Sequence, residues 1–192
     1  MPYPAGHREQ TRERIVRSAR ELFNRHGFAD VSIDAIMAHA GLTRGGFYSY
    51  FNAKSDVYAE AVAQALKDPP VARWPEQKVD FAAVDAARQV IRAYLSQQHF
   101  EDIDGSCPLV ALPSDVSRED AKVKRAFEAV FQAMVHLFEE SQRSDHKVHE
   151  RALAIASLCV GSMVVARSLE SRELADSLRD AAKSVALELG DL

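Results

Sequence analysis

Two cysteines, Cys107 and Cys159, are too few to staple this chain with a disulfide framework. No apolar run reaches the roughly eighteen residues that a bilayer-spanning helix needs. The opening Met-Pro-Tyr-Pro-Ala-Gly-His-Arg has no apolar core, so it does not read as a secretory leader and the expected location is cytoplasmic. There is no glycine-rich phosphate loop and no zinc-spaced cluster, so neither a cofactor nor a metal is expected. The nearest approach to a metal pair is His146 and His149 within Asp145-His146-Lys147-Val148-His149-Glu150, which reads as a solvated, charged helix start. Internal repeats, low-complexity tracts and strand-like alternation are also missing. Positive charge is scarce overall: the net charge is −4.

What remains is helical. Hydrophobic residues make up 47% of 192, enough for a real core in one or two domains. A first helix is expected at about 8–26, with Ile15, Ala19, Leu22 and Phe23 inward and Gly27 as its stop. Another is expected at about 55–67, ended by Asp68-Pro69-Pro70. A loop over 69–80 carries Trp74-Pro75. Further helices are expected at about 81–99, 108–112, 118–142, 146–169 and 171–189. With two short helices between residues 32 and 50, the expectation is an all-α protein of about nine helices.

Residues 32–54 carry the most specific signal. Ser32 is suited to cap a helix, and Asp34 complements the positive end of its dipole. Ile33, Ile36, Met37 and Ala40 share one helical face. Gly41 can adopt the left-handed conformation that ends a helix, Leu42 plugs the corner and Thr43 is placed to cap a second helix. That second helix, Arg44 to Tyr50, holds two glycines and two tyrosines, so local propensity alone does not sustain it. Phe47 and Phe51, four apart, can anchor it; Gly45 and Gly46 leave room for another surface. This is the layout of a helix-turn-helix, whose second helix enters a DNA groove. Arg44 can donate to a guanine edge or a phosphate, and Ser32, Thr43, Tyr48 and Tyr50 offer hydroxyls to phosphate oxygens. Lys54 lies just before a helix that Ser55 could cap.

Charge supports the reading. Residues 1–55 hold eight basic against five acidic side chains, and 56–192 hold sixteen against twenty-three. The basic excess lies where phosphates would be met.

These residues resemble the TetR/AcrR family of transcriptional regulators. The likeness runs from Thr11-Arg12-Glu13-Arg14-Ile15-Val16 through Ala19-Arg20-Glu21-Leu22-Phe23, His26-Gly27-Phe28 and Val31-Ser32-Ile33-Asp34-Ala35-Ile36. It continues through Ala40-Gly41-Leu42-Thr43-Arg44-Gly45-Gly46-Phe47-Tyr48-Ser49-Tyr50-Phe51 to Lys54. The resemblance implies an N-terminal three-helix helix-turn-helix DNA-binding domain (1–54) and a C-terminal helical ligand-binding and dimerisation domain (55–192). It implies phosphate contacts from Tyr48, Tyr50 and Lys54. The family pattern often has a larger residue where Gly46 stands, so one base contact is in doubt.

In the body, helix 146–169 is apolar around much of its girth, with Ala152, Ala156, Ser157 and Gly161 allowing close approach. Helix 171–189 adds Leu174, Leu178, Ala181, Ala182, Val185 and Leu189. These faces fit packing within one chain or a four-helix interface with a second copy. The resemblance favours the homodimer, and two heads on a two-fold axis suit a palindromic operator. Trp74, Tyr94, His99, Cys107, Phe127, Phe131 and Met134 are candidates to line a small-molecule effector cavity, with His136 a further polar candidate. The plain alternative for each is core.

Cys107 sits at an expected helix start, where Pro108 suits the first position and backbone N–H groups lower a thiol pKa. A family subgroup has a cysteine entering the sixth helix and an acidic residue eight positions on, which Cys107 and Asp115 match. Ser106 and Pro108 depart from that pattern. Cys159 reads as packing. The leading expectation is a dimeric repressor released from DNA by a small molecule or electrophile, and not an enzyme. The alternatives are a cysteine-dependent enzyme or a helical adaptor that does not bind DNA.

Overall fold

The computed structural model describes residues 6–74, 76–142 and 146–190. The first five residues, Pro75 and Asp145 fall outside the described residues. All described elements are helical: α1 His7–Asp30, α2 Ile33–His39, a 3-10 helix at Arg44–Ser49, α3 Lys54–Lys67 and a 3-10 turn at Pro70–Arg73. Then come α4 Ala86–Tyr94, α5 Gln97–Glu101, α6 Pro108–Ala111, α7 Pro113–Ser117, α8 Ala121–Glu140, α9 Val148–Arg167 and α10 Arg172–Gly190.

Most boundaries have a local cause. Gly27 breaks α1 at φ 77°, and a single residual turn comes after it. The expected helix over 81–99 is instead two helices beginning at Ala86. Leu95 ends α4, and the Ser96 hydroxyl restarts the chain as α5 by accepting from the His99 N–H at 3.2 Å. Asp120 delays α8 to residue 121 by accepting from the Lys122 and Val123 N–H groups at 2.8 and 3.1 Å. Pro113, expected in a loop, opens the short α7.

Ile15, Ala19 and Phe23 of α1 are fully buried, while Leu22 is only half-buried. Tyr58 of α3 packs on Phe23 and Phe28, with ring centroids 4.8 and 4.6 Å apart. α3 lies against both α1 and α8, and α9 lies against α6, α8 and α10. One hydrophobic core therefore runs from the head into the body. α9 is long and apolar enough to cross a membrane by length and composition alone. Here Ala152, Ile155, Ala156, Cys159 and Met163 bury one face of it in the protein core.

Candidate nucleic-acid interface and effector cavity

α2 forms as its residues dictate. The Ser32 hydroxyl accepts from the Ala35 N–H at 3.1 Å. Gly41 takes φ 67° and donates to Ala38 O at 2.9 Å, and the Leu42 N–H reaches Met37 O at 2.8 Å. The corner is closed by hydrogen bonds that a β-carbon at 41 would strain. The segment after the corner is a 3-10 helix, not the expected α-helix, and the Thr43 hydroxyl makes no capping bond. Phe47 and Phe51 anchor it from below, with rings 5.6 Å apart. Arg8 holds its far end by donating to Ser49 O at 3.0 Å.

The predicted contact residues separate here. Ser32, Thr43, Arg44, Gly45 and Tyr48 are exposed, Tyr48 to 61%. Arg44 pairs with Asp34 at 3.0 Å in the open, an interaction that solvent screens. Gly45 has nothing within 4 Å of the position a β-carbon would take, and at Gly46 only the Met37 methyl comes as near as 3.5 Å. Nothing within the chain demands glycine at either place. Tyr50 is half-buried against the head core and lines a groove with Arg8, Arg14 and Thr43.

Lys54 is placed differently from the sequence expectation. Its ammonium donates to Phe28 O at 2.6 Å and Val31 O at 2.9 Å, and sits 4.1 Å over the Phe28 ring. Partial burial holds its pKa below the usual lysine value. It closes the end of α1. Nor is Ser55 the cap of α3. Asp56 reaches back to accept from the Asn52 and Ala53 N–H groups at 3.0 and 3.1 Å, and it also pairs with Lys122 of α8. The Lys122 bond, with the backbone donors, holds the Asp56 carboxyl below its ordinary pKa.

Other bonds join head to body. Asn24 donates to Asp104 O and Ser106 O at 2.9 and 3.0 Å. Arg25 pairs with Asp104, and buried Arg20 donates to Gly105 O. Asp115 accepts from the Phe28 N–H at 3.0 Å and from Arg118 at 2.7 Å. A β-carbon at Gly27 would lie 2.9 Å from that carboxylate. Asp115 therefore ties α7 to the end of α1.

The body holds a cavity of about 190 Å³. Of the seven predicted lining residues, Trp74, Tyr94, Cys107 and Met134 line it. Phe127 and Phe131 sit half-buried elsewhere on α8. His99 stands one layer back, stacked on Trp74 at 4.3 Å and edge-on to Tyr94 at 4.6 Å. Its Nδ1 lies 2.6 Å from Tyr94 O, and a carbonyl can only accept, so Nδ1 carries the proton. Burial, first among its causes, drives the His99 pKa down to about 3, so the ring is neutral. His136 is on the surface, paired with Glu139 at 2.9 Å; His149 joins the same carboxylate at 2.5 Å.

Sequence reasoning missed Ala65 and Leu66 of α3, Val90, Leu109, Val130 and Leu137, which complete the wall. Their only signal was ordinary helical periodicity, which marks a core and a cavity wall alike. The loop behind the cavity is held by Arg167. It donates to Phe100 O at 3.2 Å, to the Ser106 hydroxyl at 2.6 Å and to His99 O.

Cys107 does not show the expected acidity. It is buried, and desolvation pushes its thiol pKa up. α6 has only four residues, too short to lend a strong dipole. Cys159 is buried too, and desolvation raises its pKa to about 12.

On α9 and α10, Leu153, Val165, Leu174 and Val185 remain exposed, and Gly161 faces open space. Gly161, Val165 and Val185 line a shallow apolar groove together with Leu158, Leu178 and Ala181.

Fold and head together define an all-α protein with a helix-turn-helix head seated on a larger helical body. Residues 15–61 match the family of bacterial regulatory proteins, tetR family. The family match is confined to the head, and the chain spans under half the length of the curated regulators it resembles there. The stretch is 41% identical over 59 residues to the HTH-type transcriptional regulator SrpR of Pseudomonas putida, spanning 31% of this chain and 28% of that relative's length. Beyond the head the likeness is one of fold. A TetR-family transcriptional regulator from Agrobacterium tumefaciens superposes with a TM-score of 0.71 at 18% identity, covering 95% of this chain and 98% of that one. A complex of SmeT with triclosan superposes with a TM-score of 0.63 at 23% identity, covering 93% and 90%.

Proposed function

We propose that this protein is a cytoplasmic, homodimeric transcriptional repressor that binds a palindromic DNA operator and is released by a small molecule. The observation that carries the reading is the 3-10 segment Arg44–Ser49. Its two phenylalanine anchors fix it to the head core, while Arg44 and Tyr48 project and Gly45 leaves clearance that the fold itself does not use. A surface shaped this way on a net-basic head fits a duplex groove.

In this reading Thr43, Arg44 and Tyr48 meet phosphates and base edges, with Ser32 beside them. Lys54 and Tyr50 act chiefly by holding the head together. The apolar groove of α9 and α10 meets its two-fold copy. The effector enters the cavity in the body, as triclosan is bound by SmeT. α3 supplies the link. Its C-terminal end gives Ala65 and Leu66 to the cavity wall, and its N-terminal end carries Lys54 and Asp56, which brace the head. A ligand that displaces α3 changes the separation of the two heads, and by reciprocity DNA weakens ligand binding by the same factor.

A gel-shift titration against the DNA flanking the protein's own gene tests the reading. Replacing Arg44 and Tyr48 together by alanine should abolish the shift at physiological salt while leaving the thermal midpoint unchanged. Full affinity in that variant places the DNA surface elsewhere.

A further inference from the structure

The lining of the body cavity restricts what can fill it. No lysine, arginine, aspartate or glutamate is among the lining residues. Three of them carry polar groups. The Trp74 Nε1–H is already used, donating to Asp102 Oδ2 at 2.9 Å. The Cys107 thiol is neutral, since burial raises its pKa. That leaves Tyr94, whose buried hydroxyl has the Cys107 thiol, a weak hydrogen-bonding group, as its one neighbour and no stronger partner. A buried hydroxyl without a partner forfeits the water it gave up on folding. An ionised ligand would be worse placed, because nothing in the wall compensates its lost hydration. The space, about 190 Å³, is somewhat larger than an engineered apolar cavity of about 150 Å³ that takes up benzene. Leu66 and Phe81, both part-exposed, stand at its outer side, with Pro69 and Pro70 between them in the lining.

We infer that the cavity takes an uncharged, compact arene bearing one hydroxyl-type group, which pairs with the Tyr94 hydroxyl while the ring packs against Trp74, Val90, Val130 and Met134. The inference rests on the effector reading only for the meaning of occupancy; binding itself is independent of it. The chain's single tryptophan, Trp74, is in the cavity wall, so its emission reports binding directly.

The test titrates the purified full chain with 4-ethylphenol, 4-ethyltoluene and 4-ethylbenzoate while monitoring Trp74 emission. The phenol should bind about tenfold more tightly than the hydrocarbon, the worth of one hydrogen bond to an otherwise unpaired group. The carboxylate should give no saturable change. Tyr94→Phe removes a hydroxyl whose one neighbour is a weakly bonding thiol, and so should fold as the parent does. It should lower phenol affinity to that of the hydrocarbon and leave the hydrocarbon's unchanged. Equal binding of phenol and carboxylate, loss of no affinity in Tyr94→Phe, or no saturable response to any of the three overturns the inference. Gel shifts with the same compounds separate the two readings. DNA binding with none of the three bound refutes the ligand class alone. A phenol that binds without releasing DNA leaves the class standing and refutes its role as effector.

Discussion

The recognition segment and the cavity wall lie at opposite ends of α3 and are built on opposite rules. At Arg44–Ser49 two buried rings hold six residues, while Arg44, Gly45, Tyr48 and Ser49 are exposed. Around the cavity nearly every side chain faces inward, and one hydroxyl is left unpaired. The first region leaves polar groups exposed, and the second gathers apolar surface around an internal space. Stability and binding should therefore separate cleanly in the head and overlap in the body.

The largest effect tests the anchors. Phe47→Ala empties a fully buried site and should cost about 3–5 kcal/mol, lowering the melting temperature and losing DNA binding together. An unaltered melting temperature would mean the segment is not held by that ring. Next comes the joint between regions. Gly27→Ala forces a side chain into φ 77° and against Asp115, and should cost roughly 1–3 kcal/mol. Denaturant melts would show it, and in an Asp115→Gly background the same substitution should cost less, because the contact it meets is gone.

Acid separates the regions by another route. His99 has a folded pKa of about 3 against an ordinary 6.5, so between these values the unfolded chain binds more protons than the folded one. Stability should fall as pH drops from 6.5 toward 3, by roughly 1 kcal/mol per pH unit. The pH slope of the unfolding free energy in His99→Phe should be shallower by that amount, and an identical slope would show that His99 does not remain neutral. The smallest effect belongs to the recognition segment. Gly45→Ala should leave stability equal or raised by up to about 1 kcal/mol, since the space is open and alanine restricts the unfolded chain. On the proposed DNA-facing reading that clearance is taken by the duplex, so DNA affinity should fall nonetheless.

The two regions also differ in how far their sequences disclose them. Ser32, Gly41 and the Phe47/Phe51 pair act on neighbours a few residues away, so spacing reveals them. Lys54 was expected at a phosphate, and Asp115 was marked only by its spacing from Cys107. Their actual partners, the carbonyls of Phe28 and Val31 and the Phe28 N–H, lie tens of residues away, and no local pattern signals that. The thiol of Cys107 was read from a proline-led helix start, but burial outweighs what a four-residue helix can contribute. The break at Leu95–Ser96 escaped periodicity because apolar residues continue on both sides of it, while the Ser96 hydroxyl and Arg179, which donates to Leu95 O, end one helix and start another.

The measurement closest to the central claim is the salt dependence of DNA affinity for the parent chain and for Arg44→Ala with Tyr48→Ala. Each phosphate contact contributes about one to the slope of log affinity against log salt. The account requires the parent to lose affinity steeply with salt, and the variant to be weaker at low salt with a slope smaller by about one per head, the loss of the Arg44 cation. A parent whose affinity ignores salt, or a variant with the parent's slope and affinity, would contradict it.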